Sequence, residues 1–294
     1  MYESASGGDN ADSGGAHLVG RVLAVLGAGA AGLVTDVDGT ISPIVARPEE
    51  AMVLPRARAA LIGLSQYLNV VGVVTGRSVA DARQMVGVDG LTYIGNHGLE
   101  MLRDGRAETL PEARPWVPRL AAALGQVATH LPTDLREGVI VENKGATASL
   151  HYRLAPDPDQ TRRVLLELLT HWAVSAGFRV EEGRRVFNLL PPLAVTKGTA
   201  VTWLVRERHL EGIVFFGDDL TDAHAFRALS ELRQAGQART LSIAVVGPET
   251  PHTVRQVADA CVPTASAVAE LLRGVLDGLK SSVRMESRAP NVLE

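Results

Sequence analysis

Cysteine is almost missing: Cys261 is the only one in 294 residues, so no internal disulfide can staple the fold. Patterns of the CxxC or HExxH kind are missing too, which fits a reducing compartment, here the cytoplasm. Cys261 itself is expected to be a buried apolar filler. No uncharged apolar run reaches the roughly 18 residues that a membrane span requires. The first residues are rich in Gly, Ser, Asp and Asn rather than basic and then apolar, so no signal peptide is expected either. Charge of one sign is also scarce. The 29 Lys and Arg are scattered among 33 Asp and Glu, net −4, which leaves no field to hold nucleic acid or an anionic membrane. A cytoplasmic monomer with a small-molecule ligand is expected. No Walker GK[ST] occurs, which removes the simplest nucleotide hydrolase. "GAGAAG" does match GxGxxG through Gly27, Gly29 and Gly32, but it runs straight into an apolar strand instead of opening a helix, so it reads as a small-residue connection.

What is present supports a sizeable core: 46% of the residues are hydrophobic, enough for one large or two moderate domains. Residues 1–16 are poor in apolar groups and are expected to be a flexible tail, as are residues 281–294. The second tail follows a helix pattern with Val268, Leu271, Leu272, Val275, Leu276 and Leu279 on one face. Between the tails, "GLVTD", "VVGVVTGR", "LTYIGNHG" and "GIVFFGDD" are four apolar runs that each end in polar residues or Gly. Uninterrupted apolar strands suit a parallel sheet covered on both faces. Helical patterns such as "PRARAALIGLSQYL" and "KGTAVTWLVRER" lie between or after them, so the spacing predicts a doubly wound α/β core over 17–105 and 190–280. The polar clusters then gather at the carboxyl ends of the strands, where such sheets bind ligands. Residues 106–189 read as an inserted α+β lid: two helix patterns and paired strands, one turn carrying Gly145. Alternation puts Glu142 and Lys144 on one face of a lid strand. His151 and Arg153 share a face of the next, with Ala148, Leu150 and Tyr152 opposite.

The chemistry-bearing residues start with "DVDGT". Asp36 closes a buried strand, and Gly39 permits a tight turn behind it. A hard divalent cation, with Mg2+ the ordinary choice at a phosphate site, would relieve repulsion between Asp36 and Asp38. Asp-x-Asp also occurs in plain turns and calcium loops, Thr75 can be a strand-end turn residue, and Lys197 with Gly198 can open an ordinary helix. These bland readings weaken once the motifs are taken together.

"DVDGT", "VVTGR", Lys197 in "TKGTAV" and "FGDDLTD" resemble, in order, the four motifs of the haloacid dehalogenase-like phosphatases. "GNHGLE", "VENKGATASLHYR" and "PPLAVTKGTAV" are similar to segments of the trehalose-6-phosphate phosphatase family, over roughly residues 30–260. The resemblance implies a Rossmann-like core with the lid in the C2-type position, and hydrolysis of a sugar phosphate. Asp36 would be the nucleophile, Asp38 the acid and base, and Thr75 and Lys197 the groups that hold the phosphoryl oxygens. Mg2+ would be held by Asp36, the Asp38 main-chain carbonyl and Asp218, with Asp222 and Asp219 behind them. Gly76, Arg77, Asn96 and His97 would lie at the phosphate end. Glu142, Lys144 and Arg153 would grip the distal sugar, with Asn188 beside them. One departure stands out: where the family has Glu and Arg, this chain has Asn188 and Leu190. A different phosphorylated disaccharide, a phosphomutase, and a non-catalytic sugar-phosphate sensor remain open at this point.

Overall fold

The computed structural model describes residues 9–27, 29–248 and 250–286. α1 (Asp9–Leu26) leads into β1 (Ala31–Thr35), followed by α2 (Pro55–Leu64), β2 (Val70–Val74), α3 (Val79–Val86) and β3 (Thr92–Gly95). Local signals set these limits. Pro55 opens α2, and Ser78 caps α3 by accepting from the Asp81 amide. β4 (Glu100–Arg103) and β5 (Arg106–Thr109) form a hairpin, and a second run closes the core: α6 (Lys197–Glu207), β10 (Gly212–Gly217), α7 (Leu220–Gln234), β11 (Arg239–Val245), α8 (His252–Val257), β12 (Ala260–Val262) and α9 (Ala265–Glu286). Strand order is β12-β11-β10-β1-β2-β3-β4-β5, parallel from β12 to β3 and antiparallel beyond.

Both faces of this sheet are covered. Leu33, Val214 and Phe216 pack with Val22, Leu61 and Leu272, whereas Val34, Ile213 and Phe215 pack with Val201, Leu204, Phe226 and Leu229. Strand side chains alternate between two dry layers, and at roughly 25 cal/mol per Å2 this burial is the main force holding the core. The chain leaves β1 toward β2 on one side and returns to β10 on the other. The crevice therefore opens at the ends of β1, β2 and β10, where the strand order reverses.

Between β5 and α6 lies the second unit: α4 (Trp116–His130), β6 (Ile140–Asn143), β7 (Ala148–His151), α5 (Pro158–Leu169), a π-helical turn over Thr170–Val174, β8 (Arg179–Gly183) and β9 (Val186–Leu190). Its four strands pair antiparallel in the order β6-β7-β9-β8. Ala148, Leu150, Tyr152, Phe187 and Leu189 face Leu120, Val127, Leu165 and Leu169 in a separate apolar cluster. The opposite face of the sheet looks toward the crevice.

Four expectations need correction. β5, expected in the lid, is the outer strand of the core sheet, because Asp104 and Gly105 adopt positive φ (48° and 77°) and close a two-residue hairpin on β4. Residues 9–16, expected as tail, belong to α1, whose Val19 and Leu23 pack against the glycine face of α9 at Gly274 and Gly278; residues 1–8 lie outside the described residues. Residues 281–286 continue α9, with Ser281 and Ser282 hydroxyls donating to carbonyls one turn back, and 287–294 lie outside the described residues. Cys261 is exposed, not buried: β12 is an edge strand that turns Val262 inward and Cys261 out. In "GAGAAG", Gly27 and Gly29 join α1 to β1 and Gly32 lies within β1, so no helix opens from it. Among the described residues, no helix is long and apolar enough to cross a membrane.

Candidate active site

Asp36 follows β1 directly and its amide donates to Phe216 O of β10 at 2.8 Å, so the sheet register itself delivers Asp36 beside Asp218. Behind Asp36 the chain reverses within a few residues. Gly39 N donates to Ser42 O at 2.7 Å and Ser42 N to Val37 O at 2.9 Å. Gly39 has φ of 79° and its α-carbon abuts the Asp218 carboxylate, so a side chain there would both strain the turn and collide.

Lys197 is the first residue of α6, set by a capping box between Thr196 and Thr199. It is 1% exposed, and its ammonium lies 3.0 Å from Asp36 Oδ2 and 2.7 Å from Asp222 Oδ1. Asp222 is fixed by a second capping box: its Oδ2 accepts from the amides of Asp218 (2.8 Å) and Asp219 (3.1 Å) while Asp219 caps α7. Asp36, Asp218 and Asp222 thus present carboxylate oxygens within 4.8 Å of one another, all buried.

The electrostatics follow from this crowding. Burial would lower the Lys197 pKa, but the Asp222 and Asp36 carboxylates outweigh it and hold the ammonium well above its ordinary value. Burial still pushes Asp36, Asp218 and Asp222 upward, because Lys197, with Arg184 beside Asp218, does not offset the desolvation of three carboxylates. Asp219 goes the other way: Lys197 and the Thr221 and Asp222 hydrogen bonds overcome burial and bring it to about 2. Asp36 Oδ1 is buried with no hydrogen-bond partner, an acceptor that a cation could satisfy. The donor set, hard oxygens with surplus negative charge, fits a divalent cation.

Around this cluster the other expected residues take distinct positions. Asp38 is clamped by the Arg77 guanidinium in two bonds of 2.6 and 2.8 Å, and Arg77 also donates to Pro48 O. Thr75 is 1% exposed at the end of β2, its hydroxyl oxygen accepting from Arg77 N at 3.3 Å. His97 sits over Gly76 with Nδ1 buried and unpartnered, and burial with the Lys197 and Lys144 charges lowers its pKa to about 3, which keeps the ring neutral. Asn96 departs from expectation. It does not line the cavity; its side chain donates to Glu100 Oε2 (3.0 Å) and Lys144 O (3.2 Å) and accepts from Thr147 (2.5 Å), joining core to lid.

The lid closes the cavity with Glu142, Lys144, Ser149, His151, Arg153 and Asn188. Lys144 Nζ donates to Gly76 O of the core (2.9 Å) and to Ser149 Oγ (2.8 Å), and lies 3.4 Å from Glu142. Ser149 donates on to Asn188 Oδ1 at 2.7 Å. Burial would raise Glu142, but the His151 hydrogen bond at 3.2 Å and the Lys144 charge bring it to about 2. Arg153 lines the wall and donates to Arg184 O at 3.1 Å. Leu190 is buried and does not line the cavity, unlike Asn188 two residues earlier. Sequence reading missed Ser149 and Arg184. The signal for Arg184 was the hairpin "EEGRR": Arg184 and Arg185 form the two-residue tip between β8 and β9, and a tip can reach across to another unit.

Known proteins resemble this chain in sequence and in fold. Residues 34–256 match the family model described as trehalose-phosphatase. The chain is 36% identical over 200 residues to the trehalose-phosphate phosphatase of Mycobacterium avium, covering 66% of this chain and 50% of that one. It is also 36% identical over 238 residues to an uncharacterized glycosyl hydrolase of Mycobacterium tuberculosis, covering 75% of this chain and 17% of the other. The chain therefore spans half or less of the length of these curated relatives. The C-terminal domain of the Candida albicans trehalose-6-phosphate phosphatase superposes with a TM-score of 0.73 at 23% identity, over 90% of this chain and 96% of that one, which establishes a common fold. That fold is shared with haloacid dehalogenase-like hydrolases. With three of its four motifs at strand ends, the fourth at the start of α6, and three quarters of its length matched, the chain belongs to the trehalose-phosphatase family.

Proposed function

We propose that the protein hydrolyses trehalose 6-phosphate to trehalose and inorganic phosphate. One observation carries this reading: Asp36 has Oδ2 fixed by Lys197 at 3.0 Å and Oδ1 without a partner, in a cavity roofed by a polar lid wall. A carboxylate held on one side and unengaged on the other is arranged for attack. Asp36 attacks phosphorus with one carboxylate oxygen, the other being left to the cation, the bond from phosphorus to the sugar oxygen breaks, and that oxygen takes a proton from Asp38. Water then attacks the aspartyl-phosphate, gives a proton to Asp38, and phosphate leaves with Asp36 restored. Lys197 offsets the charge of an anion approaching an anion, and the Thr75 hydroxyl donates to a phosphoryl oxygen. Arg77 orients Asp38 through its two bonds. Asp36, Asp218 and Asp222, with the Asp38 carbonyl expected from the family resemblance, would hold Mg2+, which supplies further positive charge against the phosphoryl group. Lid residues Glu142, Lys144, Arg153 and Asn188 face the sugar, and the lid keeps bulk water out during transfer.

Asn188 favours a second reading, a different phosphorylated disaccharide. A neutral amide bonded to Ser149 stands where the family resemblance leads one to expect a carboxylate, and sites built for hydroxyls discriminate strongly. Phosphate release with Mg2+ separates the two. Preference for trehalose 6-phosphate over glucose 6-phosphate, sucrose 6-phosphate and an aryl phosphate supports the first. Activity on the aryl phosphate alone points to the second. Asp36→Asn is expected to lower release by at least about a thousandfold on every substrate. Unchanged release would refute the mechanism.

A further inference from the structure

The tip of the lid hairpin touches the acidic cluster. Arg184 Nη2 lies 3.1 Å from Asp218 Oδ2, donates to Asp218 O at 3.0 Å, and donates to Thr250 Oγ1 of the core at 2.7 Å. Its side chain is 16% exposed against 2% for Asp218, so the pair is nearly dry. The guanidinium is also poorly matched to what it touches: one nitrogen meets three acceptors with two hydrogens, while Nε is buried with no partner. Arg184 further lines both the active-site cavity and a neighbouring one bounded by Tyr152, Glu182 and Leu220, so it forms part of the partition between them.

We propose that Arg184 is a latch through which lid seating and cation binding at Asp218 oppose one another. The inference rests on the reading of Asp36, Asp218 and Asp222 as a cation site. Asp218 Oδ1 accepts from Thr40 at 3.3 Å and Oδ2 contacts Arg184, so a guanidinium charge already rests on one of the three carboxylates that a divalent cation would use. Two cations at one buried carboxylate repel, and the weaker-held one yields. With a divalent cation bound, the β8–β9 tip loses its hold on Asp218, and the lid remains attached through Lys144, Thr147 and Asn96 on the other side of the cavity. An incoming phosphoryl group carries the oxygens that the unpartnered Nε and the displaced Nη2 require, so substrate seats the lid again. Arg184 is thus a positioning residue: it sets when the lid is closed, and its own charge passes from Asp218 to the phosphoryl group. By linkage, the factor by which a seated tip weakens the cation equals the factor by which the cation loosens the tip.

The test is Mg2+ affinity of the full chain without substrate, measured calorimetrically for the wild type, Arg184→Gln, Arg184→Lys and Asp218→Asn, with hydrogen exchange of residues 182–186 followed in the same titration. Arg184→Gln is expected to tighten Mg2+ binding by about fivefold or more, Arg184→Lys to stay near wild type, and Mg2+ to speed exchange in the wild-type hairpin tip. A residue that merely held the fold would not tighten a cation when removed. Unchanged or weaker binding by Arg184→Gln overturns the latch, while wild-type binding abolished by Asp218→Asn keeps the cation site. No Mg2+ binding by the wild type overturns both.

Discussion

The acidic cluster of the core and the polar wall of the lid face one cavity but are built in different ways. Asp36 and Asp218 are delivered by adjacent parallel strands, and Lys197 and Asp222 by the capped first turns of two helices packed on the same sheet. Their separations follow from sheet register and helix caps, which lie within the core and involve no lid residue. Glu142, Lys144, Ser149 and Asn188 come from an antiparallel sheet with its own apolar cluster, joined to the core near the cavity by polar contacts of Lys144, Thr147 and Arg184. On the proposed function, the groups assigned to the chemistry are fixed by the core, whereas those assigned to the sugar depend on how the lid is seated. Catalysis and specificity should therefore be separable by mutation.

The largest effect that would sharpen this contrast is expected from Lys197→Met. It removes the ammonium between Asp36 and Asp222, leaving buried carboxylates unpaired, which costs about 3–5 kcal/mol. Phosphate release should fall by about a thousandfold or more for sugar and aryl phosphates alike, and the Tm should drop; an effect confined to sugars would break the comparison. Lys144→Met should act on the lid alone. Losing its bonds to Gly76 O and Ser149, it should raise KM for the sugar phosphate by about tenfold and leave kcat/KM for an aryl phosphate nearly unchanged. Equal losses on both substrates would show that the lid shapes the core site. The smallest effect concerns pH. Glu142 is brought from 4.5 to about 2, so its stabilisation is complete above pH 4.5 and is lost as pH falls toward 2. Glu142→Gln should flatten that acid limb of a Tm-against-pH curve, and limbs of equal slope would remove Glu142 from the account.

Much of the core was legible because its signals are local. Apolar runs ending in Asp36, Thr75 and Asp218 specify buried parallel strands, and the alternation of Ala148, Leu150 and Tyr152 against His151 and Arg153 sorts the lid strand into a dry and a wet face. The hairpin that puts β5 in the core sheet was also written locally, in Asp104 and Gly105, but a short strand of "RAET" has no apolar run to announce it. Cys261 was misread because burial of a small apolar residue depends on which edge of the sheet its strand occupies.

Asn96, Arg77 and Arg184 mark where sequence reading stops. A motif can bring an asparagine near a phosphate site, yet only the packed lid turns Asn96 toward Thr147 and Lys144 instead. Likewise nothing in "GRR" announces Asp218 as a partner, because the two residues are brought together by the docking of one sheet on another. Residue order alone specified the apolar strands that end in Asp36, Thr75 and Asp218, the identity of the nucleophile candidate and the surplus of acid at their ends, since those follow from periodicity and residue chemistry within a few positions. Tertiary structure alone decided which charges neutralise one another. Ion pairing acts over a few ångströms of space and takes no account of distance along the chain.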